Sequence, residues 1–540
     1  MHVVLLGSVM DIKAALRPTS QIHDPQRKPR SPVDLTGRRK LLQNAIASWS
    51  GHAVFLVAGF IMPRFIDRHM SQEVLGIWDF GWSLVGYFGF LGGGVLSSIA
   101  PYVARYRMSN RPEEVNVTVS SGFAFFLFSA GIVFILTLII GMVLPSFMSG
   151  RFATHVREAQ LVVLFLGFGV VSQFVFSVFG GVVTGCHRWG VHNLILSGVH
   201  ALTVAGMVLA IYLGSGLPTL AAITMFGDIL SGILHMLAAF LCCNGLRITP
   251  QLVRRERALE LIRFGGKSML ELVSFILMYQ TTSLLILHFL GPASLAVYSR
   301  PMALVKQIRA LVNKFAFLFS PIAGAINGMA KQESLRDLLP KASKYSLYIS
   351  LPMVLTLVIL GNPILRLWMG ARYENEMLIS ILALGHLALH SQLSTYQMLR
   401  GLGRHGWPGF ISLMAALLAI ALAIVGLGPL KLGLSGAALA VVVPSTIVWG
   451  IIIPSHACRI VGLSYWQFLS KSVLGPVLAC IPFTICLTIS RIIFGQKPLV
   501  ALMGGLSVGS IVLGIVYFRL VLPSNMRARV LAWLSDKLKG

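Results

Sequence analysis

Acidic side chains are scarce in this chain of 540 residues: 18 Asp and Glu stand against 44 Lys and Arg, and charged residues of both signs make up only 11%. A soluble domain carries about a quarter charged residues, so an ordinary soluble enzyme is excluded. Cysteine is scarce too. The six present form no Cys-x-x-Cys spacing, which leaves no zinc ribbon and no disulfide framework. No GxxxxGK[ST] motif occurs, so the chain does not itself spend nucleotide, and no catalytic constellation stands out. His386 and His390 have the i, i+4 spacing of a zinc helix, but Leu387, Ala388 and Leu389 between them include no carboxylate, and no third ligand is evident. Neither a metal nor a cofactor is expected.

What is abundant is apolar. Hydrophobic residues make up 56%, and the mean hydropathy is +0.80. The net charge of +26 would suggest nucleic acid on a soluble chain. Here the cations lie mostly between long apolar runs, so the partner implied is a membrane with anionic headgroups, and not nucleic acid.

A bilayer-spanning helix needs about 20 mostly apolar residues, because no water is there to satisfy its backbone. Fourteen stretches qualify, at about 42–62, 75–100, 117–144, 159–184, 192–213, 217–243, 264–290, 294–325, 345–365, 376–399, 408–428, 432–455, 467–490 and 498–520. The chain is therefore expected to be an all-α polytopic membrane protein. Cytoplasmic loops retain Lys and Arg. With both termini cytoplasmic, 28 of the 44 fall inside, 9 outside and 7 within spans. Residues 1–40 hold Pro18, Pro25, Pro29 and Pro32 among cations and read as a disordered cytoplasmic tail. The apolar patch at Val3 to Leu6 is too short for a signal-peptide core. Residues 523–540 read as a basic amphipathic helix on the inner leaflet.

Spans 2 and 8 share a pattern: Leu75, Trp78, Leu84 and Val85 match Leu295, Tyr298, Leu304 and Val305 at a shift of 220. The turn Thr-Gly-Cys-His-Arg-Trp-Gly at 184–190 parallels Arg-Gly-Leu-Gly-Arg-His-Gly at 400–406 at a shift of 216. Six helices therefore repeat as six, and because six is even the repeat is parallel. The expected layout is an N-lobe at 41–245, a basic cytoplasmic linker at 246–263 and a C-lobe at 264–457, with two additional helices at 458–522. The Gly-flanked turns serve as tight reversals, with Arg188 and Arg404 as topology anchors or as contacts to a substrate headgroup.

An ionisable group in hydrocarbon is costly and survives where it faces a wet cavity or a partner. Such groups are Asp79 in span 2, Asp228 in span 6, Lys267 and Glu271 in span 7, and Arg300, Lys306, Arg309 and Lys314 in span 8. At 100° per residue the four cations of span 8 fall within about half the helix circumference and form one inward basic face. Lys267 and Glu271 are spaced to pair, and Asp79, aligned with Ser299 across the repeat, is placed to neutralise part of that face. Three acids against five cations leave a positive surplus around a central cavity, which an anionic substrate would fill. An ion-pair network locking two lobes together is the alternative. Span 8 could also end early and leave Lys314 at the inner surface.

Residues 75–107, LGIWDFGWSLVGYFGFLGGGVLSSIAPYVARYR, with Glu73 and Gly76, the glycines at 92–94, and Arg105 with Tyr106, resemble the oligosaccharide-lipid and polysaccharide flippase family. The stretch LHFLGPASLAVYSRPMALV at 287–305 is similar to that family's hairpin between helices seven and eight. The resemblance implies alternating access by two six-helix bundles in the inner membrane. A polyprenyl-diphosphate-linked glycan would pass its sugars and diphosphate through the central cavity while its tail stays in the bilayer. It also implies coupling to H+ or Na+ through Asp79, Asp228 or Glu271, diphosphate contacts from Arg300, Lys306, Arg309, Lys314 and Lys267, and a polymerase or glycosyltransferase as partner. The long N-terminal tail and fourteen helices depart from the twelve-helix pattern, so a lipid II-type flippase stays open. A multidrug antiporter of the same superfamily would bind cations, which a basic cavity suits poorly. A lipid scaffold that transports nothing would need no sealed cavity.

Overall fold

Long apolar runs in a bilayer must satisfy their backbone internally, and helices do so. The computed structural model describes residues 38–148, 155–329 and 331–522, with isolated positions beyond. The chain runs α1 (Arg38–His69), α2 (Gln72–Val85), α3 (Gly93–Met108), α4 (Pro112–Met148), α5 (Val156–Gly185), α6 (Trp189–Tyr212) and α7 (Leu217–Cys242). It continues through α8 (Arg255–Ile276), α9 (Thr282–Leu290), α10 (Pro292–Ala316), α11 (Phe319–Gly328), α12 (Gln332–Trp368), α13 (Glu376–Gly385) and α14 (Leu387–Gly401). It ends with α15 (Gly406–Leu427), α16 (Gly433–Ile447), α17 (Ile453–Val461), α18 (Tyr465–Ser472), α19 (Leu474–Phe494) and α20 (Pro498–Val516).

Among the described residues, 13 segments are long and apolar enough to cross a membrane, and they coincide with expected spans 2 to 14. The first expected span falls within α1, whose opening side chains lie outside the described residues, as do the expected N-terminal tail and nearly all of the amphipathic C-terminal helix. Helices α1 to α7 pack mainly on one another, α5 against α4 and α7, and α1 against α6. Helices α8 to α17 do likewise, with α15 against α8 and α16, and α12 against α14. Between the two sets, α2 packs on α10 and α3 on α8. The last pair, α19 and α20, packs against α12.

Several expected spans are not uniform α-helix, and two of them are distorted where they meet. Span 2 is interrupted by a six-residue 3-10 stretch, Gly86–Leu91, and Gly86, Gly89 and, just beyond it, Gly92 recur every three residues. That is the 3-10 period, and it stacks three hydrogen side chains along one edge. Span 7 carries a π-turn at Leu277–Thr281. The two irregular stretches touch, and the Tyr87 hydroxyl lies 2.6 Å from the Thr281 hydroxyl. Span 8 divides at Ala316 into α10 and α11. Lys314 is thereby left exposed near the end of α10.

Candidate functional site

The site starts from a glycine. A Cβ on Gly76 would lie 1.9 Å from the Pro292 carbonyl oxygen, so α2 approaches the start of α10 at a distance only glycine permits. One helical turn on, this contact aims Asp79 at α10. Arg300 donates from Nη2 to Asp79 Oδ1 at 2.5 Å and also to Oδ2. Arg300 is buried, and among the described residues its Nε has no hydrogen-bond partner. The expected neutralisation of the basic face by Asp79 thus takes the form of a buried ion pair joining α2 to α10.

Beyond Arg300 the face opens. Lys306 is exposed although buried residues surround it along α10, among them Leu304, Val305 and Ile308. Its Nζ lies 5.5 Å from the Tyr279 ring centre. Arg309 sits over the Phe275 ring at 4.2 Å, and its Nη2 is 3.8 Å from Glu271 Oε1. Glu271 therefore faces α10 and Arg309, where the sequence spacing had paired it with Lys267. The Lys267 side chain lies outside the described residues. Behind Tyr279, its hydroxyl meets His386 Nε2 at 2.8 Å, which gives that histidine a phenol as neighbour. Among the described residues, neither ring nitrogen of the buried His390 has a hydrogen-bond partner.

The structure brings together Asp79, Glu271, Arg300, Lys306 and Arg309. It does not bring Asp228 to them. That carboxylate lies between α5 and α7, and a Cβ on Gly169 would come within 2.7 Å of its Oδ2.

Two polar clusters that sequence reasoning missed tie the two helix sets together at opposite ends. At the end where α1 meets α2, Arg372 donates to Asp67 Oδ2 and Tyr373 donates to Oδ1, both at 2.5 Å. Arg64 donates to the Trp368 carbonyl, and Trp368 Nε1 donates to the Phe60 carbonyl at 2.7 Å. The Asp67 hydrogen bond holds the Arg372 guanidinium above its ordinary pKa, against burial. At the other end, Arg257 donates to Glu114 at 2.5 Å, to Glu260 at 2.8 Å and to the Tyr106 hydroxyl at 2.5 Å. Burial opposes the Arg257 charge, but Tyr106, Glu260 and Glu114 outweigh it and raise its pKa. The pairs are 305 and 143 residues apart and sit at helix ends, where hydropathy carries no signal.

The fold is similar to that of solved membrane transporters. An inward-facing multidrug-resistance MATE family transporter superposes with a TM-score of 0.66 at 15% identity, over 77% of this chain and 96% of that one. The lipid II flippase MurJ in an inward closed conformation gives 0.63 at 14% identity, over 89% and 100%. Residues 111–377 match the family model described as polysaccharide biosynthesis protein. The resemblance to polysaccharide flippases drawn from the sequence therefore stands. The uncharacterized membrane protein EpsK of Bacillus subtilis is 25% identical over 237 residues, 43% of this chain, which spans about half of that relative, 46% of its length. A putative O-antigen transporter of Shigella flexneri is 20% identical over 368 residues, 67% of this chain and 85% of that protein.

Proposed function

We propose that the chain carries a polyprenyl-diphosphate-linked oligosaccharide from the cytoplasmic to the outer face of the inner membrane, by alternating access between α1–α7 and α8–α17. The observation that carries this reading is Lys306, exposed in the interior beside Arg309, while the nearby carboxylates are already engaged by Arg300 and Arg309. A cation kept accessible between transmembrane helices is expensive without an anion to meet it. A diphosphate supplies several anionic oxygens, and guanidinium groups bind such oxygens through parallel hydrogen bonds. The kinship with a putative O-antigen transporter and the fold shared with a lipid II flippase support this substrate class. A multidrug substrate is less well supported, because organic cations would meet Lys306 and Arg309.

Arg300 and Arg309 exchange partners in this scheme. Entry of diphosphate draws Arg309 from Glu271, and reorientation of the bundles parts Arg300 from Asp79. Either freed carboxylate can then take up H+ or Na+. Lys314 and Lys267 guide the headgroup toward the interior. Asp228, set apart between α5 and α7, is a coupling site of the first bundle.

The test is reconstitution. Proteoliposomes with a fluorescent lipid-linked diphosphate oligosaccharide in one leaflet should show protein-dependent translocation that depends on an ion gradient. Translocation of organic cations, with none of the lipid-linked glycan, would overturn the reading.

A further inference from the structure

A second cationic site lies away from the interior. The first turns of α12 precede the apolar part of that helix and carry Asp337, Lys341 and Lys344. The last turn of the short α18 carries Ser470 and Lys471, and after a bend at Val473 the chain enters α19. Between these elements is a groove of about 610 Å³ lined by Lys341, Lys344, Lys471, Asp337, Ser470 and Leu474. We propose that this groove binds the headgroup of an anionic phospholipid.

The charge balance points to an anion. Three lysines face one carboxylate, and among the described residues none of the three has a carboxylate oxygen within 4 Å. Lys344 is directed by its neighbours. Its Nζ stands 5.8 Å from the Tyr348 ring centre, and a Cβ on Gly475 would lie 3.1 Å from its Cε. The missing side chain at 475 lets the lysine stem lie across α19 with its ammonium in the groove.

The walls select a lipid over a soluble anion. Leu474 and Leu478 line the groove and remain 58% and 55% exposed, and they continue the surface from the lysines onto the apolar length of α19. Trp466 on α18 is 76% exposed, as an indole placed at the headgroup level of a bilayer would be. Free phosphate would use the lysines and leave the leucine wall idle. A phosphodiester with acyl chains uses both, and basic pockets between transmembrane helices recognise such headgroups. The antiparallel helix order puts this groove on the same side as the 109–111 and 243–254 loops, the side toward which Lys and Arg are concentrated.

The full chain in neutral detergent would be titrated with phosphatidylglycerol, with phosphatidylcholine of the same chain length, and with inorganic phosphate, and binding read by native mass spectrometry and thermal unfolding. Phosphatidylglycerol should bind and raise the unfolding temperature, while the other two should not. The triple variant Lys341→Gln, Lys344→Gln, Lys471→Gln should bind it about a hundredfold more weakly, about fivefold for each lysine. Replacing the same three lysines with Arg should restore most of the affinity, and Lys331→Gln with Arg459→Gln, outside the groove, should change it little. Leu474→Ser keeps all three cations and should still weaken phosphatidylglycerol binding. Unchanged binding in the Gln triple variant, or equal binding of inorganic phosphate or phosphatidylcholine by the wild type, would overturn the proposal. None of these substitutions touches Lys306 or Arg309, so the outcome is independent of the transport reading.

Discussion

Asp79 and Arg300 show what a buried pair does when each partner stands on a different helix set. Removing one charge leaves the other uncompensated in a poorly hydrated site, which costs on the order of 3 kcal/mol or more, whereas removing both is milder. Asp79→Asn and Arg300→Ala should therefore each lower the unfolding temperature, and the double variant should be more stable than the two losses predict. Thermal unfolding of all four proteins in detergent closes the cycle, and strict additivity would mean that the pair is not coupled. Gly76→Ala is a sharper probe of the same contact, because its methyl meets the Pro292 carbonyl and not a flexible side chain. It should lower folded yield more than Gly59→Ala, where a Cβ meets nothing within 4 Å. The pairing of Asp79 with span 8 was legible in the sequence, since the repeat aligned Asp79 with Ser299, one residue from Arg300. The turn of Glu271 toward Arg309 was not, because i, i+4 spacing names a neighbour on the same helix and is silent about the helix opposite.

Helices in this chain are less regular than their hydropathy. Spans 2 and 7 read as continuous apolar runs, yet both are distorted where they touch, at Gly86–Leu91 and at Leu277–Thr281. Composition windows cannot see this, because a 3-10 or π segment is as apolar as an α-helical one. The glycines at 86, 89 and 92 were the available signal. Mid-helix 3-10 stretches and π-turns often mark hinges, and these two lie between the end clusters around Asp67 and Arg257. Breaking one cluster should bias the hinge. Arg257→Ala removes the contacts to Glu114, Glu260 and Tyr106 and should favour opening at the end where α3 meets α8. Asp67→Asn should favour opening at the other end, where it loosens Arg372 and Tyr373. A cysteine at position 306 reports both: its labelling by a membrane-impermeant thiol reagent should rise from one side of the membrane in the first variant and from the opposite side in the second. Equal labelling in both would remove the end clusters as gates. Such a reporter needs the native cysteines replaced, and four of the six are buried.

Across the whole molecule, span positions were the most legible feature, because the bilayer imposes one length and one polarity on every crossing. The site was legible only as a set of charges. Which of them are spent on one another depended on pairs hundreds of residues apart. We infer cytoplasmic termini from the Lys and Arg distribution, so a reporter fused after Gly540 should be active only in its cytoplasmic form. In the proposed function, accessible cations in the interior read a diphosphate. Losing a charge-assisted hydrogen bond costs about 1.5–3 kcal/mol, or roughly tenfold or more in affinity. The direct measurement is binding of a lipid-linked diphosphate oligosaccharide to purified Lys306→Ala, Arg309→Ala and Arg300→Ala, each first shown to be folded by its unfolding temperature and size-exclusion profile. Lys306→Ala and Arg309→Ala should bind at least tenfold more weakly at near wild-type stability, Arg309→Lys should recover part of the loss, and Arg300→Ala should lose stability together with binding. Wild-type affinity in both Lys306→Ala and Arg309→Ala would contradict the account.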